Sequence, residues 1–120
     1  MLTIYGLGHC STTKKAKKFL MDNGQELGEI IDIRDNPPTK EVIQLAVDNQ
    51  GGQVKKILNT SGNLYRELSL KDKLPEMTDD EVISLLHEHG MLIKRPLITD
   101  GEKATVSAKE NVLSEAWLSE

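Results

Sequence analysis

The one cysteine of this 120-residue chain lies in Gly6-Leu7-Gly8-His9-Cys10-Ser11-Thr12-Thr13, just after a short apolar run and just before a lysine-rich helical pattern. A thiol in the turn that opens a helix sits at the positive end of the helix dipole, among backbone N–H groups with no intrahelical partner. Both favour the thiolate, which is the nucleophilic form of sulfur. Lys14 and Lys15 bring positive charge nearby, and the Thr13 hydroxyl is spaced to donate a hydrogen bond to the sulfur. The competing reading is an inert cysteine acting as a small hydrophobe. Polar neighbours and a place ahead of a helix favour the reactive one.

A second element, Arg95-Pro96, precedes a predicted strand much further along the chain. A cis proline there would bring Arg95 toward the cysteine turn, and a guanidinium fork matches carboxylates and oxyanions in bidentate fashion. An Arg-Pro pair alone is ordinarily a loop; only its combination with Cys10 suggests chemistry. His9 has the type of a proton acceptor, but adjacent turn residues commonly point apart. His87 and His89 stand near a predicted helix end, where attraction to the negative dipole end accounts for them. One cysteine and scattered histidines make no metal-ligand spacing. The Gly6-Leu7-Gly8 turn lacks the third glycine of a nucleotide fingerprint.

These residues need a frame to bring them together. Residues 2–5 are apolar and β-favouring and run into the glycine turn, so they predict a first strand. Ala16, Phe19 and Leu20 then recur at helical spacing up to Asn23-Gly24, which predicts a helix starting at or just after Cys10. Lys14, Lys15, Lys17 and Lys18 read mainly as its solvated face. Residues 27–33, rich in β-branched types and closed by Asp35-Asn36-Pro37-Pro38, predict a second strand, parallel to the first by a right-handed crossover.

From Thr39 to about His89 the apolar spacing is helical, and Thr78-Asp79-Asp80-Glu81 is a capping-box signature with Gly90 as the stop beyond. Residues 97–99, the turn pair Asp100-Gly101 and residues near 104–107 predict a hairpin. A last helix over 109–118 follows, with Val112, Leu113, Ala116 and Trp117 as its apolar face. The order βαβ, helices, ββα is that of an α/β thioredoxin-like fold. The whole chain reads as one domain with an all-helical insertion at about residues 37–90.

Composition bounds the partners. A formal charge of −4 and 3% aromatic residues argue against direct nucleic-acid binding, which draws on a basic face or on stacking platforms. No apolar run approaches the roughly 20 residues of a membrane helix, and MLTIYG does not read as a signal peptide. A lone thiol forms no intrachain disulfide, so the expectation is a cytoplasmic protein with no membrane contact whose disulfide chemistry is intermolecular.

Residues 5–18, Asn59-Thr60-Ser61-Gly62, Tyr65-Arg66-Glu67-Leu68 and, most specifically, Leu92-Ile93-Lys94-Arg95-Pro96-Leu97 followed by Asp100-Gly101 bring in a resemblance. Over essentially its whole length the chain resembles the arsenate reductase-like family of thioredoxin-fold proteins (arsenate reductase, Spx and MgsR type), closest to the uncharacterised arsenate reductase-like branch. The resemblance implies a nucleophilic Cys10, with Arg95 beside it before a cis proline. Arsenate reductases of this kind surround the oxyanion with further arginines, and the matching positions here are Asn59 and Val106. One arginine of three leaves a tetrahedral oxyanion with much of its charge uncompensated.

The Spx-type members bind the C-terminal domain of the RNA polymerase α subunit and switch through a Cys-x-x-Cys pair. Thr13 occupies the second position here, so that switch is absent. Gly52 falls where those regulators have a contact glycine, although Gly51-Gly52 is sufficiently explained as a helix end.

Two functions follow from the residues and the resemblance. The first is a monothiol oxidoreductase with Cys10, Arg95 and Thr13 at its centre. It would have no bound cofactor, and a small thiol such as glutathione or bacillithiol, or a redoxin, would resolve the mixed disulfide. The alternative is a non-catalytic regulator docking on the RNA polymerase α subunit.

Overall fold

The computed structural model describes residues 1–118. Strand β1 (Thr3–Gly6) leads through a turn into helix α1 (Ser11–Asp22), and β2 (Ile31–Asp32) returns parallel to β1, with Tyr5 opposite Ile31. Helices α2 (Lys40–Asn49), α3 (Asn63–Glu67), α4 (Leu70–Lys73) and α5 (Asp79–Glu88) follow, with 3-10 turns between them. Strand β3 (Leu97–Thr99) pairs antiparallel with β1, Ile98 facing Ile4, and β4 (Ala104–Thr105) pairs antiparallel with β3. The sheet order is β2-β1-β3-β4, and the chain ends on α6 (Glu110–Leu113) and a wider π turn over Ser114–Leu118. The fold is thioredoxin-like, with the extra helices between β2 and β3.

Strand alternation splits the core in two, because neighbouring side chains leave opposite faces of a sheet. Leu97 points to a cluster shared with Ile43, Val47, Ile57 and Leu86 of the helical segment. Ile98 points the other way, to Leu20 of α1 and Leu113 and Trp117 of the C-terminal turns. Thr13, Ala16 and Leu20, spaced three and four apart, form the buried stripe of α1. Leu20 is fully buried, which contributes about 2 kcal/mol, and truncating it to alanine leaves a cavity costing roughly 2–5 kcal/mol.

The predicted second strand is shorter than residues 27–33. Leu2 bridges Leu27, and the regular pairing resumes only at Ile31–Asp32. Gly28 has no side chain to pack on a sheet face and weakens the strand between. The hairpin also closes early, at Thr105, and the last helix is α-helical only to Leu113 before the π turn. Within that turn, Gln25 donates to the Trp117 carbonyl at 2.7 Å and the Lys103 ammonium donates to that of Ala116.

Gly90 follows α5, as expected of a stop, but with a different cause: a Cβ there would stand 2.0 Å from the Ile33 carbonyl oxygen. The requirement is close approach of the chain to the end of β2. His87 is likewise not explained by the dipole alone, since its Nδ1 lies 2.9 Å from the Pro38 carbonyl oxygen and ties α5 to the segment that enters α2. Among the described residues, no helix is long and apolar enough to cross a membrane.

Candidate active site

Cys10 is the N-cap residue of α1, with extended backbone angles of φ −82° and ψ 119°. Its N–H donates to the Leu7 carbonyl at 2.9 Å, and its own carbonyl receives the Lys14 N–H at 3.1 Å. No side chain caps this helix, so the first-turn amides that a cap would normally satisfy are left to the sulfur. The Cys10 thiol lies below its ordinary pKa. The Thr13 N–H is the largest cause, and partial burial opposes it; the Thr13 hydroxyl and the Thr12 N–H and hydroxyl add to the lowering. The threonines of the first turn thus supply the lowering at the thiol that stands out.

Thr13 itself is fully buried, and its Oγ1 makes no hydrogen bond of ordinary geometry. It is nevertheless close enough to Cys10 to lower the thiol pKa. A buried hydroxyl without a partner is costly unless a ligand or a charged form supplies one, and the Cys10 thiolate is the acceptor at hand.

Gly6 makes room for this arrangement. A Cβ at Gly6 would come within 2.6 Å of both the Thr13 Oγ1 and Cγ2. The glycine read from the sequence as a turn former is in fact the seat on which Thr13 packs against the end of β1.

Arg95 is half-buried, and the Arg95–Pro96 peptide is cis. Its Nη1 donates to the Met91 carbonyl at 3.1 Å and lies 3.7 Å from the Met91 sulfur. Cys10 and Arg95 open onto one cleft of about 1010 Å³, which Asn59, Val106, Ser61 and Phe19 also line. The two positions that depart from the arginine pattern thus face the same space as the thiol. His9 is exposed and does not line the cleft.

The sequence reading missed the charge of this cleft. Lys15, Lys56, Lys94 and Lys109 line it together with Arg95, against the single acid Glu110. They come from α1, the 3-10 turn Val54–Ile57, the segment before β3 and the N-cap of α6. Only Lys94, adjacent to Arg95, carried a local hint. Lys14, Lys17 and Lys18 lie elsewhere on α1, as their reading as a solvated face expects, whereas Lys15 turns to the cleft. No group of three or more histidine, cysteine, aspartate or glutamate side chains among the described residues could hold a metal.

The family model of the ArsC family matches residues 5–116. The chain belongs to the ArsC family. It is 50% identical over 116 residues to the uncharacterized protein YusI of Bacillus subtilis, covering 97% of this chain and 98% of that one. It is 30% identical to an Escherichia coli arsenate reductase over 81% of this chain and 67% of the enzyme. It is also 30% identical to the regulatory protein MgsR of Bacillus subtilis, over 88% of this chain and 81% of that one. Among solved structures, a Staphylococcus aureus protein determined by solution NMR superimposes with a TM-score of 0.84 at 43% identity, covering 99% and 100% of the two chains. An ArsC-family chain thus has both enzymes and a regulator among its relatives.

Proposed function

We propose that this ArsC-family protein is a monothiol oxidoreductase in which Cys10 attacks a disulfide. The observation that carries the reading is the sulfur at an uncapped helix N-terminus, backed by a buried hydroxyl with no other partner and opening onto a cationic cleft. The Cys10 thiolate attacks one sulfur of the substrate R–S–S–R′. That bond breaks, Cys10–S–S–R forms, and R′–S⁻ departs and takes a proton from water. Thr13 and Thr12 hold the thiolate before attack, and Arg95 receives the negative charge of the substrate. With no second cysteine in the chain, an external thiolate such as that of glutathione, bacillithiol or a redoxin attacks the R sulfur and frees Cys10. That attack leaves R joined to the external thiol as a new disulfide, and a second external thiol then displaces R–S⁻ from it, so the substrate disulfide gains two electrons and the two external thiols lose one each in forming a disulfide with each other.

The test is stopped-flow or mass-spectrometric measurement of mixed-disulfide formation between the reduced protein and a small disulfide. One adduct at Cys10, formed faster than on a free cysteine at the same pH and reversed by added thiol, supports the reading. The absence of any adduct overturns it.

The likeness to the regulatory protein MgsR favours a non-catalytic regulator as the second reading, and docking on the RNA polymerase α subunit is the form that the resemblance to Spx-type members gives it. The residue pointing that way, Gly52, has a sufficient structural duty. Gly51 (φ 68°) and Gly52 (φ 81°) close α2, donating to the Asp48 carbonyl at 3.1 Å and the Val47 carbonyl at 3.0 Å. This is the paired ending that left-handed residues give a helix. Retention of the protein on the immobilised C-terminal domain of the α subunit at micromolar concentration is the measurement that would revive this reading.

A further inference from the structure

The lysines of α1 stand where helix stability disfavours them. Lys14 and Lys15 follow directly on a first turn that holds no acid, close to the positive end of the dipole, where cations are least favoured. Lys14 also meets like charges three and four residues on, at Lys17 and Lys18, which destabilises a helix. Asp22 relieves Lys18 at 2.7 Å, in an exposed pair. Lys14 and Lys17 form no salt bridge among the described residues. Whereas Lys15 turns to the cleft of Cys10, Lys14, Lys17 and Lys18 line a separate groove of about 400 Å³ with Met21, Asp22 and Ile30. Met21 is 49% exposed, and apart from Met1 it is the only large apolar side chain left so open among the described residues.

An apolar seat flanked by unpaired cations fits a partner with aliphatic side chains at its centre and carboxylates at its edges. Interfaces are apolar in the middle and polar at the rim, and the flexible thioether of methionine adapts to the surface it meets. A nucleic acid fits less well. The groove has no aromatic side chain on which a base could stack, and the chain's formal charge of −4 repels a phosphate backbone beyond this patch.

We propose that this stripe of α1 is a docking surface for an acidic amphipathic helix of a partner protein. The helix lies along α1, its aliphatic face on Met21 and Ile30 and its carboxylates against Lys14, Lys17 and Lys18. A helix held in a groove anchors through residues three and four apart, which is the spacing of Lys14, Lys17, Lys18 and Met21 themselves. The charges speed encounter and fix the register. The groove shares no lining residue with the cleft of Cys10, so one helix presents a thiol at one site and a partner-binding stripe at another.

The experiment titrates the full chain into a fluorescein-labelled peptide of about four helical turns, with leucine at i, i+3, i+4 and i+7 and glutamate elsewhere, and reads fluorescence anisotropy. Saturable binding at micromolar concentration is expected in low salt. A Lys14→Gln, Lys17→Gln, Lys18→Gln triple variant should weaken it at least about fivefold, and Met21→Ser roughly threefold. In 1 M salt, where charges are screened beyond about 3 Å, the wild type should approach the triple variant. A peptide of the same composition in scrambled order should bind at least about fivefold more weakly than the amphipathic one. Equal binding of the scrambled peptide, or tighter binding of a DNA oligonucleotide of matched charge, marks a general anion surface and overturns the proposal. So does the absence of binding.

Amide NMR shifts in the wild-type chain locate the peptide without relying on the folding of any variant. Shifts at Lys14, Lys17, Lys18, Met21 and Ile30 support the assignment. Shifts confined to Lys56, Lys94, Arg95 and Lys109 would put the peptide in the cleft and overturn it. Neither measurement involves disulfide exchange, so the outcome is independent of the monothiol reading.

Discussion

Helices α1 and α5 begin in opposite ways. At α5 the Thr78 hydroxyl accepts the Glu81 N–H at 3.2 Å, and the Glu81 carboxylate accepts the Thr78 N–H at 2.9 Å, so two open amides are satisfied reciprocally. Three acids, Asp79, Asp80 and Glu81, fill its first turn. Helix α1 has no acid in its first turn, no side-chain cap, and a cysteine where a serine, threonine or aspartate would serve better. The same chain thus ends one helix for stability and leaves another electrostatically incomplete. The incompleteness is what holds a thiol below its ordinary pKa.

Replacing the sulfur breaks this contrast most completely. Cys10→Ser is expected to abolish disulfide exchange altogether, read as loss of the adduct by mass spectrometry. Because serine is a good N-cap, the same variant is expected to be as stable as wild type or more so, by up to about 1 kcal/mol in urea unfolding near pH 6. A clear loss of stability would show that the sulfur is itself a structural cap.

Gly6→Ala comes next, since its Cβ meets a fully buried β-branched side chain. A cost of roughly 1–3 kcal/mol is expected, with most of it recovered in the Gly6→Ala, Thr13→Ala double variant. Additive losses would place the conflict elsewhere. At the other helix, Thr78→Ala is expected to cost about 1 kcal/mol by the same unfolding assay, with no change in the thiol's reactivity.

The finest adjustment is Thr13→Val, nearly the same shape without the hydroxyl. Stability should stay within about 0.5 kcal/mol, as no ordinary hydrogen bond is lost. The thiol pKa, followed by thiolate absorbance or the pH dependence of alkylation, should rise but stay below 9.0, because the Thr13 N–H remains. The sign for stability follows from linkage. A thiol whose folded pKa lies below its unfolded value lets the unfolded chain bind more protons between the two, so stability rises with pH across that window. Wild type should therefore gain on Cys10→Ser as pH climbs from the folded pKa toward 9.0, and lose that gain as pH falls through it. The gain should shrink in Thr13→Val.

Much of this was legible in the residues. The strand, cysteine turn and α1 follow from an apolar run, two glycines and helical spacing. The Thr78 capping box and the Leu97–Thr99 strand stand as read. These are features set by near neighbours. Residues 27–33 were over-read because β-branched composition reports local preference, whereas pairing depends on what Gly28 fails to pack. Thr13 was named as a donor to the sulfur, but its dependence on Gly6 was hidden, because β1 and α1 meet only in space. The cleft lysines were illegible for the same reason. Lys15, Lys56, Lys94 and Lys109 are scattered over most of the chain, and each alone is an ordinary surface residue until four segments converge on Cys10.

Trp117 brings one more consequence. It is buried in the cluster beneath α1, its indole N–H donates to the Thr105 hydroxyl at 3.0 Å, and the Lys103 ammonium lies 4.9 Å from its ring centre. It is the only tryptophan, and both tyrosines, Tyr5 and Tyr65, pack against the cluster on the other face of the sheet. The molecule therefore carries two separable fluorophores, one colour for each side of its sheet. Selective excitation of the indole would follow the α1 layer during unfolding, while tyrosine emission would follow the layer beneath the helical segment.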